Sequence, residues 1–266
     1  MTNSNNEPRK RFLALDTATA VLGVAVTSGG ELLHEINASG ERNHSVHLLP
    51  IIEQALQASA TTADTIGGIS VGIGPGSYTG TRIAVTAAKT LAWAWNVPVT
   101  GVSSLHALAW GGYHAASALG TAGTDWIIPL IDARRGQAYT AVFAADGDKP
   151  PRRLAPDAIR LMADWVQELT VRLKAAAAEG NLPDTLWFVG ETALHGSADM
   201  LAPLKEAAAN VKALSYELEG RWTGFLAEAG LYEESGDLHT LIPNYTQLSE
   251  AEANLRRSSE GSLNTR

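Results

Sequence analysis

Apolar positions along this chain alternate, then cluster, in an order that predicts strands first and a switch between helix and strand afterwards. Residues 11–17 (RFLALDT) form a short apolar run closing on Asp16, and 21–28 and 31–36 follow as strands on either side of Gly29-Gly30. A two-residue glycine turn suits a tight hairpin, because both central residues take positive φ. Over 46–58, Leu48, Leu49, Ile52, Ala55 and Leu56 recur at helical spacing. Pro50 is tolerable there only near the helix start, where backbone donors lack partners. Ile69, Val71 and Ile73 then alternate and stop at Gly74-Pro75-Gly76, after which Ser77 or Thr79 caps a helix over 79–95. That helix carries Gly80, Ala84, Ala88 and Ala92 four apart, on one face that a second element can approach closely.

The opening pattern then returns. After a strand over 97–102 and a helix over 103–118, residues 126–133 (WIIPLIDA) form a strand with Asp132 near its end, and Arg134-Arg135-Gly136 turns. Strands over 137–144 and 152–154, a helix over 156–178, a strand over 186–189 and the loop GETALHG complete the second half. Hairpins followed by βα units indicate α/β architecture. The expected organisation is a disordered 1–9, lobes at 10–118 and 119–252, and a solvated tail at 253–266.

Composition narrows the function classes. A hydrophobic content of 45% with 18% charged residues is that of an ordinary globular chain of 266 residues. The net charge of −8 argues against free-standing nucleic-acid binding, since phosphate recognition needs a net basic face. With no cysteine, disulfides, thiolate metal sites and cysteine nucleophiles are excluded. The N-terminal MTNSNNEPRKR lacks the apolar centre of a signal peptide, and no apolar run is long enough to span a bilayer, so a cytoplasmic protein is expected.

The candidate chemistry is thin. The loop Gly74, Gly76, Ser77 and Thr79 could bind an anion or nucleotide at a helix N-terminus. It misses the dinucleotide fingerprint, however, because Thr79 stands at the third glycine position. It also lacks the P-loop lysine and the glycines of a nucleophile elbow. Asp16 and Asp132 each stand at or near the end of the first strand of a half, where sugar-kinase-like folds place functional carboxylates; loop hydrogen bonding is the simpler role. His44 and His47 lie three apart without a third ligand, and His106 has no partner one turn on, so no metal site is read from them. Trp93 and Trp95 are expected to anchor the helix end in a core.

The segments LALDTATAVLGVAV, NHSVHLLPIIEQAL, GIGPGSYTGTRIAVTAAKTLA, PVTGVSSLHALA and PLIDARRGQAY, in this order, resemble the TsaB (YeaZ) family, with PNYTQLSEAE near the end. The resemblance implies a two-lobed actin-like (ASKHA, RNase-H-like) fold with a mixed sheet flanked by helices in each lobe. It implies a non-catalytic subunit that binds and activates the paralogue TsaD, with TsaE, during transfer of threonylcarbamoyl to the adenosine beside the tRNA anticodon. The histidine pair by which TsaD holds metal corresponds here to Ser104 and Leu108, so no metal is expected. No cofactor is expected in the isolated chain, with ATP or ADP left to the complex. Contact with tRNA is expected only through that complex, and a homodimer when the chain is alone. The expected partner surface is Leu48, Ile52 and Leu56 of the first helix with Gly80, Arg82, Ile83, Ala84, Ala87 and Ala88 of the second. The competing class is an enzyme, either a sugar-kinase-like phosphotransferase or a metal-dependent glycopeptidase.

Overall fold

The computed structural model describes residues 10–39, 44–118, 123–207, 210–235 and 238–246. The expected disordered start (1–9) and tail (253–266) lie outside these residues, as do parts of the loops near 40 and 120 and the end of the 243–252 motif. The opening meander is β1 (Arg11–Asp16), β2 (Leu22–Ser28) and β3 (Glu31–Ala38), paired antiparallel in sequence. Gly29 and Gly30 turn between β2 and β3 with φ of 61° and 79°. Helix α1 (His44–Ala58) leads to β4 (Ile66–Gly72), helix α2 (Tyr78–Trp95) to β5 (Val99–Val102), and both strands add parallel beside β1. Helix α1 starts two residues earlier than expected, which leaves Pro50 in its second turn. Ser77 caps α2 by accepting from Gly80 N, and Asn96 ends it in the left-handed conformation.

After α3 (Ser104–Ser117), the same order is built again. Strands β6 (Asp125–Arg134), β7 (Gln137–Ala145) and β8 (Arg152–Leu161) form an antiparallel meander. Helix α4 (Met162–Ala178), β9 (Thr185–Gly190), α5 (Ala198–Lys205) and β10 (Val211–Ser215) follow, with β9 parallel to β6 and β10 parallel to β9. The two sheets run β11-β5-β4-β1-β2-β3 and β10-β9-β6-β7-β8, where β11 is Glu234–Ser235. Three antiparallel strands with two parallel strands beyond the first occur in both, which is the two-lobed actin-like α/β plan.

Two boundaries need correction. The helix expected from 156 begins only at Met162, because β8 runs on through Pro156. Proline is admissible there since β8 is an edge strand and the pairing shifts register between Val142 and its neighbours. The stretch expected in the second lobe from 119 onwards does not all stay with the second sheet. Helix α6 (Gly220–Glu228) lies on β1, β2 and β3 of the first sheet, and β11 pairs with β5. Leu241 enters the first lobe's core. Glycine permits this return: a Cβ on Gly224 would sit 2.9 Å from Thr27, and one on Gly220 2.8 Å from Val24 N. The first sheet is therefore covered by α1 and α2 on one face and by α6 on the other, while α3 and α6 share a second core with β6, β7 and β9.

Candidate functional site

Helix α2 is apolar on more than one side, and this creates the most distinctive surface of the molecule. Its inner row, Gly80, Ala84, Ala88 and Ala92, is buried, with the three alanines 0% exposed and packed in the first lobe's core. The small side chains are required by the subunit itself. A Cβ on Gly80 would lie 2.0 Å from the Thr17 carbonyl oxygen, and the Thr17 hydroxyl donates to Gly80 O at 2.6 Å. The next row round the helix, Ile83, Ala87 and Leu91, is only partly buried and faces α1.

Between the two helices runs an apolar groove of about 630 Å³, floored by Leu48, Ile83 and Ala87 and edged by Leu49, Arg82, Thr86 and Thr90. Leu49 is 57% exposed and Val46 64%. At one end Arg82 donates to the Tyr78 hydroxyl at 2.9 Å and lies 5.1 Å from the ring centroid. Tyr245, from the returning C-terminal segment, approaches Tyr78 at a centroid distance of 5.5 Å. In the last turn of the helix Trp93 is 76% exposed, so it does not anchor a core as expected; Trp95 does pack against the first core.

The expected partner surface is thereby corrected. Leu48, Ile52, Gly80, Ala84 and Ala88 belong to the subunit's own interior, and Leu56 packs against the same core. Arg82, Ile83 and Ala87 do line the groove, as does the inner edge of Leu48. The i, i+4, i+8 row of Ile83, Ala87 and Leu91 beside the alanine row carried the missed signal: one sheet face needs only one of them. Tyr78, Arg82, Thr86 and Thr90 also stand four apart, but their mixed polarity reads as a solvated face, so only the packing shows that they edge the groove.

The glycine loop is filled by the protein. Ser77 N donates to Ala18 O at 2.7 Å, Gly80 N to Ser77 Oγ at 3.2 Å, and Gly74 N to Ser104 Oγ at 3.1 Å. A Cβ on Gly76 would stand 2.3 Å from Ala18 O, so the loop lies flat on the turn after β1. Thr79 is exposed and takes no part. Three of the loop's N–H groups, those of Gly74, Ser77 and Gly80, are thus engaged within the subunit.

Behind the loop Asp16 is 1% exposed. It accepts from Ala18 N at 2.8 Å, Ser104 Oγ at 2.8 Å and Thr223 Oγ1 at 3.5 Å, which ties β1 to α3 and α6. Burial pushes its carboxyl up to about 6 despite these donors. Leu108 is buried in the second core. Asp132 has a different setting: it accepts from Arg134 N and from His195 Nε2 at 2.9 Å, while its own N–H donates to Glu191 at 2.7 Å. His106 is packed, stacked on Phe143 and bonded to the Pro151 carbonyl at 2.7 Å. His44 reaches Thr19 O at 3.3 Å. Among the described residues no three His, Asp or Glu side chains gather closely enough to hold a metal ion, and no helix is long and apolar enough to cross a membrane.

Comparison with known proteins adds family and fold. The model for the family "TsaD: tRNA N6-adenosine threonylcarbamoyltransferase" matches residues 31–254. The chain is 32% identical over 244 residues to the tRNA threonylcarbamoyladenosine biosynthesis protein TsaB of Bacillus subtilis, covering 91% of this chain and 96% of the relative. It is 32% identical over 170 residues to the protein of that name from Escherichia coli, covering 59% and 69%. YeaZ from Pseudomonas aeruginosa shares the fold, with a TM-score of 0.66 at 23% identity over 89% of this chain and 99% of that one.

Proposed function

The chain belongs to the TsaB (YeaZ) family and so to tRNA threonylcarbamoyladenosine biosynthesis, and from that premise we propose that it serves as the accessory subunit that docks TsaD through the α1–α2 groove. The observation that carries this is the groove itself: exposed Leu49 and Tyr78 line it with Ile83 and Ala87, and Val46 and Trp93 are exposed on the same two helices, which already pack on their own sheet. Contiguous apolar surface of this kind is expensive to leave in water and marks a protein partner. This chain matches the TsaD family model over residues 31–254, and the docking reading takes TsaD to carry a comparable helix pair on its first lobe. Two such faces meet as two pairs of helices about a pseudo-twofold axis, the arrangement open to like surfaces. A second copy of this chain competes for the same face.

The accessory rather than catalytic role is supported by the crevice behind the glycine loop. Ser104 and Asp16 close on each other, and Gly74 N and Ser77 N are engaged within the subunit. Activation of TsaD then comes from holding its helix pair, with no bond made or broken on this chain. The test is reconstitution: the purified chain and TsaD, with the remaining components, are assayed for threonylcarbamoyladenosine on tRNA with wild-type chain, without it, and with Ala87→Arg. Modification that requires the wild-type chain and fails with Ala87→Arg supports the reading; modification indifferent to both rejects it.

A further inference from the structure

The β6–β7 hairpin presents two arginines on a turn that the backbone would form more easily without them. Arg134 pairs with Gln137 to close the hairpin, leaving Arg135 and Gly136 as its two central residues. Their φ angles are 54° and 73°, and that of Arg134 is 66°. Left-handed backbone at a residue with a side chain is disfavoured by roughly 1–2 kcal/mol, which is why such turns take Asn-Gly or Gly-Gly. At the β2–β3 turn, this chain does use Gly29 and Gly30. Strained positions that hold charged side chains instead of glycine point to a use for the charge.

The base of the hairpin is fixed while its tip is open. Asp132 accepts from Arg134 N at 3.0 Å and from His195, which is 2% exposed, and Glu191 accepts from Asp132 N. Both nearby carboxylates are thus directed at backbone N–H groups and the histidine. Arg134 and Arg135 are exposed, and among the described residues neither guanidinium has an ion-pair partner. A broader basic patch with Arg152 and Arg153 does not form. Arg152 pairs with Ala144 at the far end of β7, roughly 24 Å away at strand spacing, and Arg153 is held by Asp157 and Glu233.

We propose that Arg134 and Arg135 contact the phosphodiester backbone of the RNA that the complex modifies. The inference rests on the docking reading above, because a chain of net charge −8 has no long-range attraction for RNA and needs the partner to bring it close. Guanidinium forks match phosphate oxygens, and a braced tip holds them ready.

The experiment measures anisotropy of labelled tRNA with the chain–TsaD complex between about 50 and 200 mM salt, for wild type, Arg134→Ala/Arg135→Ala and Arg134→Lys/Arg135→Lys. The alanine pair should weaken binding by about tenfold at low salt and reduce the salt slope by about 1–2. The lysine pair should keep most of the slope. Affinity for TsaD and the melting temperature should not fall. Unchanged slope and affinity for tRNA would overturn the assignment, as would a loss of TsaD affinity, which would make the tip a protein contact. If the wild-type chain fails to bind TsaD, the docking reading falls by itself. The tip is then judged on the chain alone at low salt, where equal tRNA binding by wild type and the alanine pair overturns it.

Discussion

Ser104 donates a 2.8 Å hydrogen bond to Asp16 across 88 positions of sequence, and the same hydroxyl accepts from Gly74 N. One buried oxygen thus joins the end of β1, the start of α3 and the glycine loop, at the position where the family resemblance would put a metal-binding histidine of TsaD. Replacing it shows what the crevice is for. Ser104→Ala leaves the Gly74 donor unpaired in the interior and removes a donor to Asp16, so stability should fall by about 1–3 kcal/mol in urea titration. TsaD affinity of the folded fraction should stay at the wild-type value.

The two rows of α2 separate core from interface. Ala84→Leu and Ala88→Leu place extra carbons where the present side chains are 0% exposed, and overpacking should cost roughly 1–3 kcal/mol in the isolated chain. Thr86→Arg changes a groove-lining, exposed position, so melting should hold while TsaD affinity drops by at least about tenfold. Calorimetry and surface plasmon resonance on the three variants check both halves.

Gly80→Ala tests a close approach of helix to backbone. Its methyl would fall 2.0 Å from the Thr17 carbonyl, so α2 must lift from the turn after β1. Despite alanine's better helix propensity, the variant should lose roughly 1–3 kcal/mol. A stabilised variant would mean that the contact is easily relieved.

Two buried groups oppose each other in acid. Burial raises Asp16 from 3.8 to about 6, against hydrogen bonds from Ala18, Ser104 and Thr223. The native state therefore keeps a proton that the unfolded chain releases. The resulting stabilisation is full below about pH 4 and lost as pH rises through 6. His106 is lowered from 6.5 to about 4, first by burial, then by Arg153, with the Pro151 carbonyl opposing. Its contribution is present above pH 6.5 and lost as pH falls towards 4. Asp16→Asn removes one of the two. The variant should be more stable than wild type at pH 7, by up to roughly 3 kcal/mol, and should lose that advantage towards pH 4. Urea midpoints at pH 4.5, 6 and 7 decide this.

Much of the fold was legible because strand endings and turn glycines are local signals. The runs closing on Asp16 and near Asp132, Gly29-Gly30 and the cap at Ser77 all stand where their residue types require. The site was legible only to the level of the helix pair. A stripe of alanines says that something comes close, and not whether it is a sheet of the same chain or another protein; the Thr17 carbonyl and the first core decided that. The run of β8 through Pro156 was missed because a strand edge is a property of the neighbours, which no local pattern encodes. Asp16 finds Thr223 only because α6 returns to the first lobe, a contact without any trace near either residue in sequence.

That return also orders events during synthesis. The face of β1 and β2 that α6 covers stays open to water until Gly220 and the residues after it have been made, and β5 waits longer still for β11. Domains emerging from the ribosome usually fold as they appear. Here the first half to emerge is the last to be finished, so a chain stopped after α5 would expose the inner surface of its own oldest sheet.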